Sequence, residues 1–126
     1  MRKTYMTENH LNETPEWYWQ YGLHDAKILQ ANELELLYDY KLRNPRRNCF
    51  ELMLDSSQVL YDKKIQCIRL YNYKKINGAI DIAGQWWMCD SITYGNGRYI
   101  LAITTNDCKN DSTATIQFDD AEVERK

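Results

Sequence analysis

"QWWMCDSITYGNGRYILAITT", residues 85–105, decides the fold class. Two runs rich in aromatic and β-branched residues, which suit a pleated, half-buried surface, flank Gly95-Asn96-Gly97. Glycine and asparagine supply the positive φ that tight hairpins need. The stretch therefore predicts two antiparallel strands joined by a short turn. In the first strand Trp86 and Trp87 fall on opposite faces. Cys89 shares the face of Trp87, and Asp90 that of Trp86.

The same signals recur on both sides. "CFELMLD" alternates, with Phe50, Leu52 and Leu54 on one face. "IQCIRLYNY" sets Ile65, Cys67, Arg69 and Tyr71 against Ile68 and Leu70, which are expected inward. "TATIQFDD" puts Ile116 and Phe118 together as a last strand. "AKILQAN" and "LELLYDY" flank Asn32-Glu33, read as a hairpin connection, with Leu34, Leu36, Tyr38 and Tyr40 on one side. "KKING" reads as a turn, "AIDIAG" as a short strand ended by Gly84, and "NDCKNDS" as a polar loop. "SSQVLYDKK" fits a loop or a short strand.

"TPEWYWQYG" is the one helical signal. Thr14 can cap it, Pro15 suits its first position and Gly22 its close. Two turns do not stand alone, so this helix must dock. Trp17 and Tyr21 are four apart and are expected to plug one open end of the β core. The sum is a mainly β chain: an antiparallel sandwich or open barrel of seven or eight short strands with one short N-terminal helix. With 126 residues it reads as a single domain 1–126, with a mobile leader over 1–12 and a polar tail over 119–126.

Composition narrows the function classes. Hydrophobic residues make up 44% and aromatics 13%, too many for a disordered chain. A net charge of −2 argues against a general nucleic-acid binder, which carries a basic stripe. The dense basic run "RNPRR" (Arg43, Arg46, Arg47) reads as a solvated turn, with anion binding as the alternative. No segment approaches the ~20 apolar residues of a membrane helix, and the start lacks an apolar signal stretch. The expectation is a cytoplasmic protein. Its four cysteines form no CxxC pair, and Cys49, Cys67 and Cys89 lie in apolar runs, so buried reduced thiols are expected. No metal motif or cofactor motif is present, so none is expected.

Chemistry has few places to live. His24-Asp25 could serve as a general base with its orienting carboxylate. Adjacent residues on a strand point apart, however, so the plainer use is to bond backbone at a corner. Cys89 as a nucleophile would need His24 beside it, and Asp90 is the remaining candidate on that strand. The tyrosines and tryptophans suit an interface, because each offers a large ring with a polar tip. The expected binding surface comprises Tyr18, Trp19, Tyr71, Tyr73, Asp119 and Asp120. Asp39, Asp55, Asp62 and Glu122 would add to an acidic surface that attracts a basic partner.

The block "GLHDAKILQANELELLYDY" resembles the opening of several small bacterial families, in which an HD[SA]-x-[IV] motif begins the first strand of a mainly β domain. The match rests on His24, Asp25, Ala26 and Ile28 and the hairpin after them. "IQCIRLYN" is similar to an aromatic-ended strand of those families, with Tyr71 near the place of a usual phenylalanine. Some members are immunity proteins of polymorphic toxin systems. The resemblance implies a small β protein, an inhibitor of a toxin, and assigns no catalytic residue.

Three functions therefore stand side by side. The first is a protein-binding module, immunity-like, acting through an acidic and aromatic surface. The second is a small enzyme or ligand-binding barrel with a pocket near His24 and Asp90. The third is a homodimeric structural domain that pairs by an exposed edge strand or an aromatic patch.

Overall fold

The computed structural model describes residues 2–5, 23–36, 47–59, 63–78 and 81–126. Nine strands occur among them: β1 (Arg2–Tyr5), β2 (Lys27–Glu35), β3 (Asn48–Asp55), β4 (Ile65–Tyr71), β5 (Lys74–Asn77), β6 (Trp86–Gly95), β7 (Arg98–Asn106), β8 (Asp111–Phe118) and β9 (Asp120–Arg125). All pairings are antiparallel, in one open sheet of order β1-β9-β4-β3-β2-β6-β7-β8-β5. The segment expected to be helical, 14–22, lies outside the described residues, as do Tyr38 and Tyr40.

The 85–105 hairpin forms as its sequence predicts. Gly95 pairs with Arg98 across a two-residue turn, with Asn96 at φ 54° and Gly97 at φ 74°. Two positive φ values in succession match the right-handed twist of the flanking strands. Phe50, Leu52 and Leu54 are buried on β3, Ile68 and Leu70 on β4, and Ile116 and Phe118 on β8. They join Leu101, Ile103, Trp87, Ala121 and Val123 in one core cluster. Tyr99 stacks on Phe118 with ring centroids 5.4 Å apart.

That cluster draws on strands far apart in the sheet order, so the sheet curls around it. The curl has two causes. Across the middle, β2 meets β6 only at Lys27 and Trp86, and backbone bonds from Ile28 to Gln85 and from Trp87 to Ala26 hold the seam. At the other side two strands bend together. β4 passes into β5 through Asn72 and Tyr73, and β8 passes into β9 through Asp119. β4 pairs with β9 and β5 with β8, so the two-stranded ribbon turns one corner as a unit. Such strands, running from one part of a sheet to another, make corners in folded β structures.

Several expectations need correction. Asn32-Glu33 is no turn: β2 runs straight through it and pairs with β3 from Lys27↔Asp55 to Glu35↔Asn48. Neither residue supplies the glycine a two-residue hairpin wants. Leu34 is 37% exposed and Leu36 half-buried, so the leucine stripe is not the core face. "KKING" is edge strand β5 up to Asn77, and only Gly78 bends. Residues 81–85 form a turn into β6 rather than a strand. Residues 120–125 are β9, a strand between β1 and β4 with buried side chains, not a polar tail. Residues 2–5 of the expected leader pair with it.

β4 also departs from simple alternation. Ile65, Cys67 and Tyr71 are buried along with Ile68 and Leu70, so both faces of this strand are covered. In β6 a register shift between Trp87 and Cys89 breaks the pleat. Trp87 is fully buried while Cys89 is exposed, so the two do not share a face. Cys49 and Cys67 are buried free thiols, as expected, and Cys108 is exposed.

Candidate functional site

The residues singled out for chemistry sit at the seam. A turn over Leu23–Ala26 is closed by the Ala26 amide donating to the Leu23 carbonyl at 2.8 Å, with Asp25 at φ 74°. The turn pushes both side chains outward. His24 Nδ1 lies 3.6 Å from Asp25 Oδ1, with the side chains 61% and 55% exposed. In water such a pair has little strength. Asp90 accepts the indole N–H of Trp87 at 2.8 Å, which satisfies the one polar atom of the largest core side chain. Among the described residues no hydrogen bond or ion pair joins Cys89 to His24. Of the four candidates, His24 and Asp25 sit in a surface turn, Asp90 anchors a core ring and Cys89 is an exposed thiol. No group of three or more His, Cys, Asp or Glu among the described residues is placed to hold a metal ion.

A second polar cluster lies on the face of β3, β4 and β9 that is turned from the core. Arg69 Nε meets Glu51 at 2.9 Å, and Arg69 Nη1 meets Glu124 at 3.0 Å and Glu122 at 3.4 Å. Tyr71 donates its hydroxyl to Glu122 Oε2 at 2.5 Å. Burial works against the charge on Arg69, and hydrogen bonds to Glu51 and Glu124 more than restore it. Glu122 and Tyr71 are 2% and 8% exposed. Neither can serve as the surface residue its sequence position suggests. The cluster fastens three strands through one guanidinium.

The corner of the bent ribbon is the more open feature. A cleft of about 510 Å³ lies there, lined by residues of four segments that include Arg47, Asn48, Tyr73, Lys74, Arg98 and Asp119. Asn72 organises its floor. Its φ of 53° turns the chain out of β4. Its side-chain oxygen accepts the Arg47 amide at 2.7 Å, and its side-chain nitrogen donates to Asp119 Oδ2 at 2.8 Å. Asparagine tolerates left-handed backbone and bonds locally better than most residues. Arg98 Nη1 approaches the same Asp119 oxygen at 3.4 Å.

One wall is fixed by Tyr73. Its ring packs on Phe50 with centroids 5.7 Å apart, and its hydroxyl donates to Glu33 Oε1 at 2.6 Å. Burial and that bond hold the phenol well above its ordinary range, while Glu33 is pulled below the usual carboxylate value by the same bond. Asn48 donates to the Tyr73 carbonyl at 3.4 Å, and its buried side-chain oxygen has no partner among the described residues. Lys74 is exposed and makes no ion pair among the described residues.

Of the expected binding surface, then, Tyr73 and Asp119 meet at this cleft. Tyr71 is buried and Asp120 half-buried. Tyr18 and Trp19 lie outside the described residues, as do Asp39 and Asp62. Of the residues expected to form an acidic surface, Glu122 is interior and Asp119 lies 3.4 Å from Arg98. Arg98, Lys74 and Asn48 gave no functional signal in the sequence, where they are isolated residues. Arg47 carried the one hint, as the end of the basic run. Comparison with protein-family models, with curated proteins and with solved structures finds no match.

Proposed function

We propose that this chain is a protein-binding module, without chemistry of its own, that meets its partner at the corner cleft. The carrying observation is the cleft itself. A tyrosine and an aspartate, Tyr73 and Asp119, stand there beside Arg47, Lys74 and Arg98. Tyrosine and arginine are enriched at interface hot spots. The wall is rigid, because Tyr73 is held at both its ring and its hydroxyl, so little side-chain freedom is lost on binding. Curled as an open barrel, the sheet serves as the frame that holds four separate segments at one corner. An inhibitor of the immunity type would work in this way, by presenting a surface rather than by catalysis.

Edge pairing between copies is the less favoured use. Edge strand β5 is four residues long, carries Lys74 and Lys75, and has a register shift after Lys75. Short, lysine-bearing, bulged edges resist strand addition.

The test is affinity capture from source-cell lysate with the tagged chain, run beside a Lys74→Glu, Arg98→Glu variant. A stoichiometric protein held by the wild type and lost from the variant supports the module and its cleft. A partner held equally by both moves the interface elsewhere. A wild-type chain that captures no protein and binds a small molecule at the cleft replaces the module with a ligand-binding barrel.

A further inference from the structure

We infer that the cleft takes an acidic polypeptide segment, in which a side-chain carboxylate meets Lys74 and Arg98 while a neighbouring backbone N–H donates to Asn48. The inference rests on the reading of the cleft as a protein-binding site and names the chemistry of the partner there.

Charge comes first. The lining holds three cations, Arg47, Lys74 and Arg98, against one carboxylate, Asp119. The whole chain is net −2. The cleft is therefore a local reversal of sign, and it favours an anionic partner over a cationic one. Asp119 does not cancel the cations evenly. It is committed to Asn72 at 2.8 Å and only approaches Arg98 at 3.4 Å, which leaves Lys74 exposed and unpaired among the described residues.

The second observation separates a peptide from a bare anion. The Asn48 side-chain oxygen is buried and has no hydrogen-bond partner among the described residues, and its amide nitrogen is already turned to the Tyr73 carbonyl. A buried acceptor left empty costs free energy that a donor would recover. Inorganic phosphate in its dianionic form brings its acceptors and a single O–H donor on one phosphorus, and no N–H. A peptide brings a carboxylate and N–H donors on one short frame, so it can satisfy Lys74, Arg98 and Asn48 together. A volume of about 510 Å³ is within the range of ligand clefts and admits a short segment, not a folded element. The position at a corner, open on one side, suits a loop or a chain end of a larger protein.

The probes are an acetylated, amidated hexapeptide of alternating glutamate and glycine, the same peptide with glutamine for glutamate, and inorganic phosphate. Each is titrated into the full-length chain, with binding read from backbone amide shifts in nuclear magnetic resonance spectra. The glutamate peptide is expected to shift the amides of residues 72–74 and 117–119. It should bind at least about tenfold more tightly than the glutamine peptide or phosphate, and weaken severalfold between 20 mM and 300 mM salt as charge pairs are screened. Lys74→Glu should reduce its affinity at least about tenfold. Asn48→Ala should reduce it about threefold or more. Lys109→Glu, at the other end of β7, should leave it unchanged.

Phosphate that binds as tightly as the glutamate peptide would overturn the inference in favour of a simple anion site. Equal binding of the glutamate and glutamine peptides, or no binding of either, would overturn it as well. If the peptide fails while Lys74→Glu, Arg98→Glu still releases a captured partner, the acidic segment alone is wrong. If capture is indifferent to those substitutions, the cleft as the binding site is wrong.

Discussion

At Gly78 the backbone takes a φ of +78°, and a Cβ placed there would overlap the carbonyl oxygen of Thr113 on the neighbouring strand β8. At Gly84 the φ is +85° with open space around the same position. The two separate backbone strain from collision. Gly84→Ala should cost about 1 kcal/mol, the penalty of a left-handed alanine. Gly78→Ala should cost at least about 2 kcal/mol, because β5 must also move from β8. Urea unfolding of both variants measures the difference, and equal losses would refute the collision. The cysteines give a second contrast. Burial pushes Cys67 up to about 12 and Cys49 up to about 11 from an ordinary 9.0. A thiol with a raised folded value supports the fold fully below pH 9, and that support is lost as pH climbs towards 11–12. Cys67→Ala should therefore flatten the fall in stability above pH 9. In the native chain iodoacetamide should add to Cys89 and Cys108 first, which intact-mass spectrometry can follow, since it is the thiolate that reacts. Prompt labelling of Cys67 would contradict its burial.

Strand β9 carries the clearest lesson among the elements. Its sequence, Asp120 to Arg125, reads as a solvated tail because it alternates charged residues with Ala121 and Val123. Its partners explain the burial. Ala121 and Val123 enter the core, while Glu122 and Glu124 reach Arg69 on β4. Charge compensation between residues 53 and 55 positions apart leaves no mark on local composition. Arg69→Met should therefore cost about 3–5 kcal/mol at neutral pH, since three carboxylates lose their common counter-ion. A chain cut after Asp119 should lose its sheet entirely, and a circular dichroism spectrum that keeps its β signature would refute this. By contrast β3, β7 and β8 were legible, because one face of each is apolar and the turn at Asn96-Gly97 announces itself. β2 was misread because a polar pair within a strand looks like a turn when the strand it pairs with is not yet known.

Over the whole molecule, the cleft was the least legible feature. Arg47, Asn48, Tyr73, Lys74, Arg98 and Asp119 come from four segments, and only the corner brings them together. Sequence patterns report which face of a strand is buried; they do not report where two strands bend at once. The tyrosines illustrate the limit. Tyr71 and Tyr73 are two residues apart in one short run, yet one is interior and bonded to Glu122 while the other walls the cleft. The difference is made by the left-handed Asn72 between them.

The same bend has a consequence for how the chain comes apart. The β4–β5 and β8–β9 ribbon passes through the corner as a continuous pair, and it touches β3 and β1 on one side of the bend and β7 on the other. Separating the β9-β4-β3-β2 side of the sheet from the β6-β7-β8 side breaks this ribbon. The molecule should open as one cooperative unit rather than as two. Amide hydrogens of Ile65–Tyr71 and of Tyr99–Ile103 should then exchange with a common opening free energy, despite lying on opposite sides of the corner. A hinge placed at Asn72 or Asp119 would erase that shared protection, so these two polar residues hold the joint on which the unity of the fold depends.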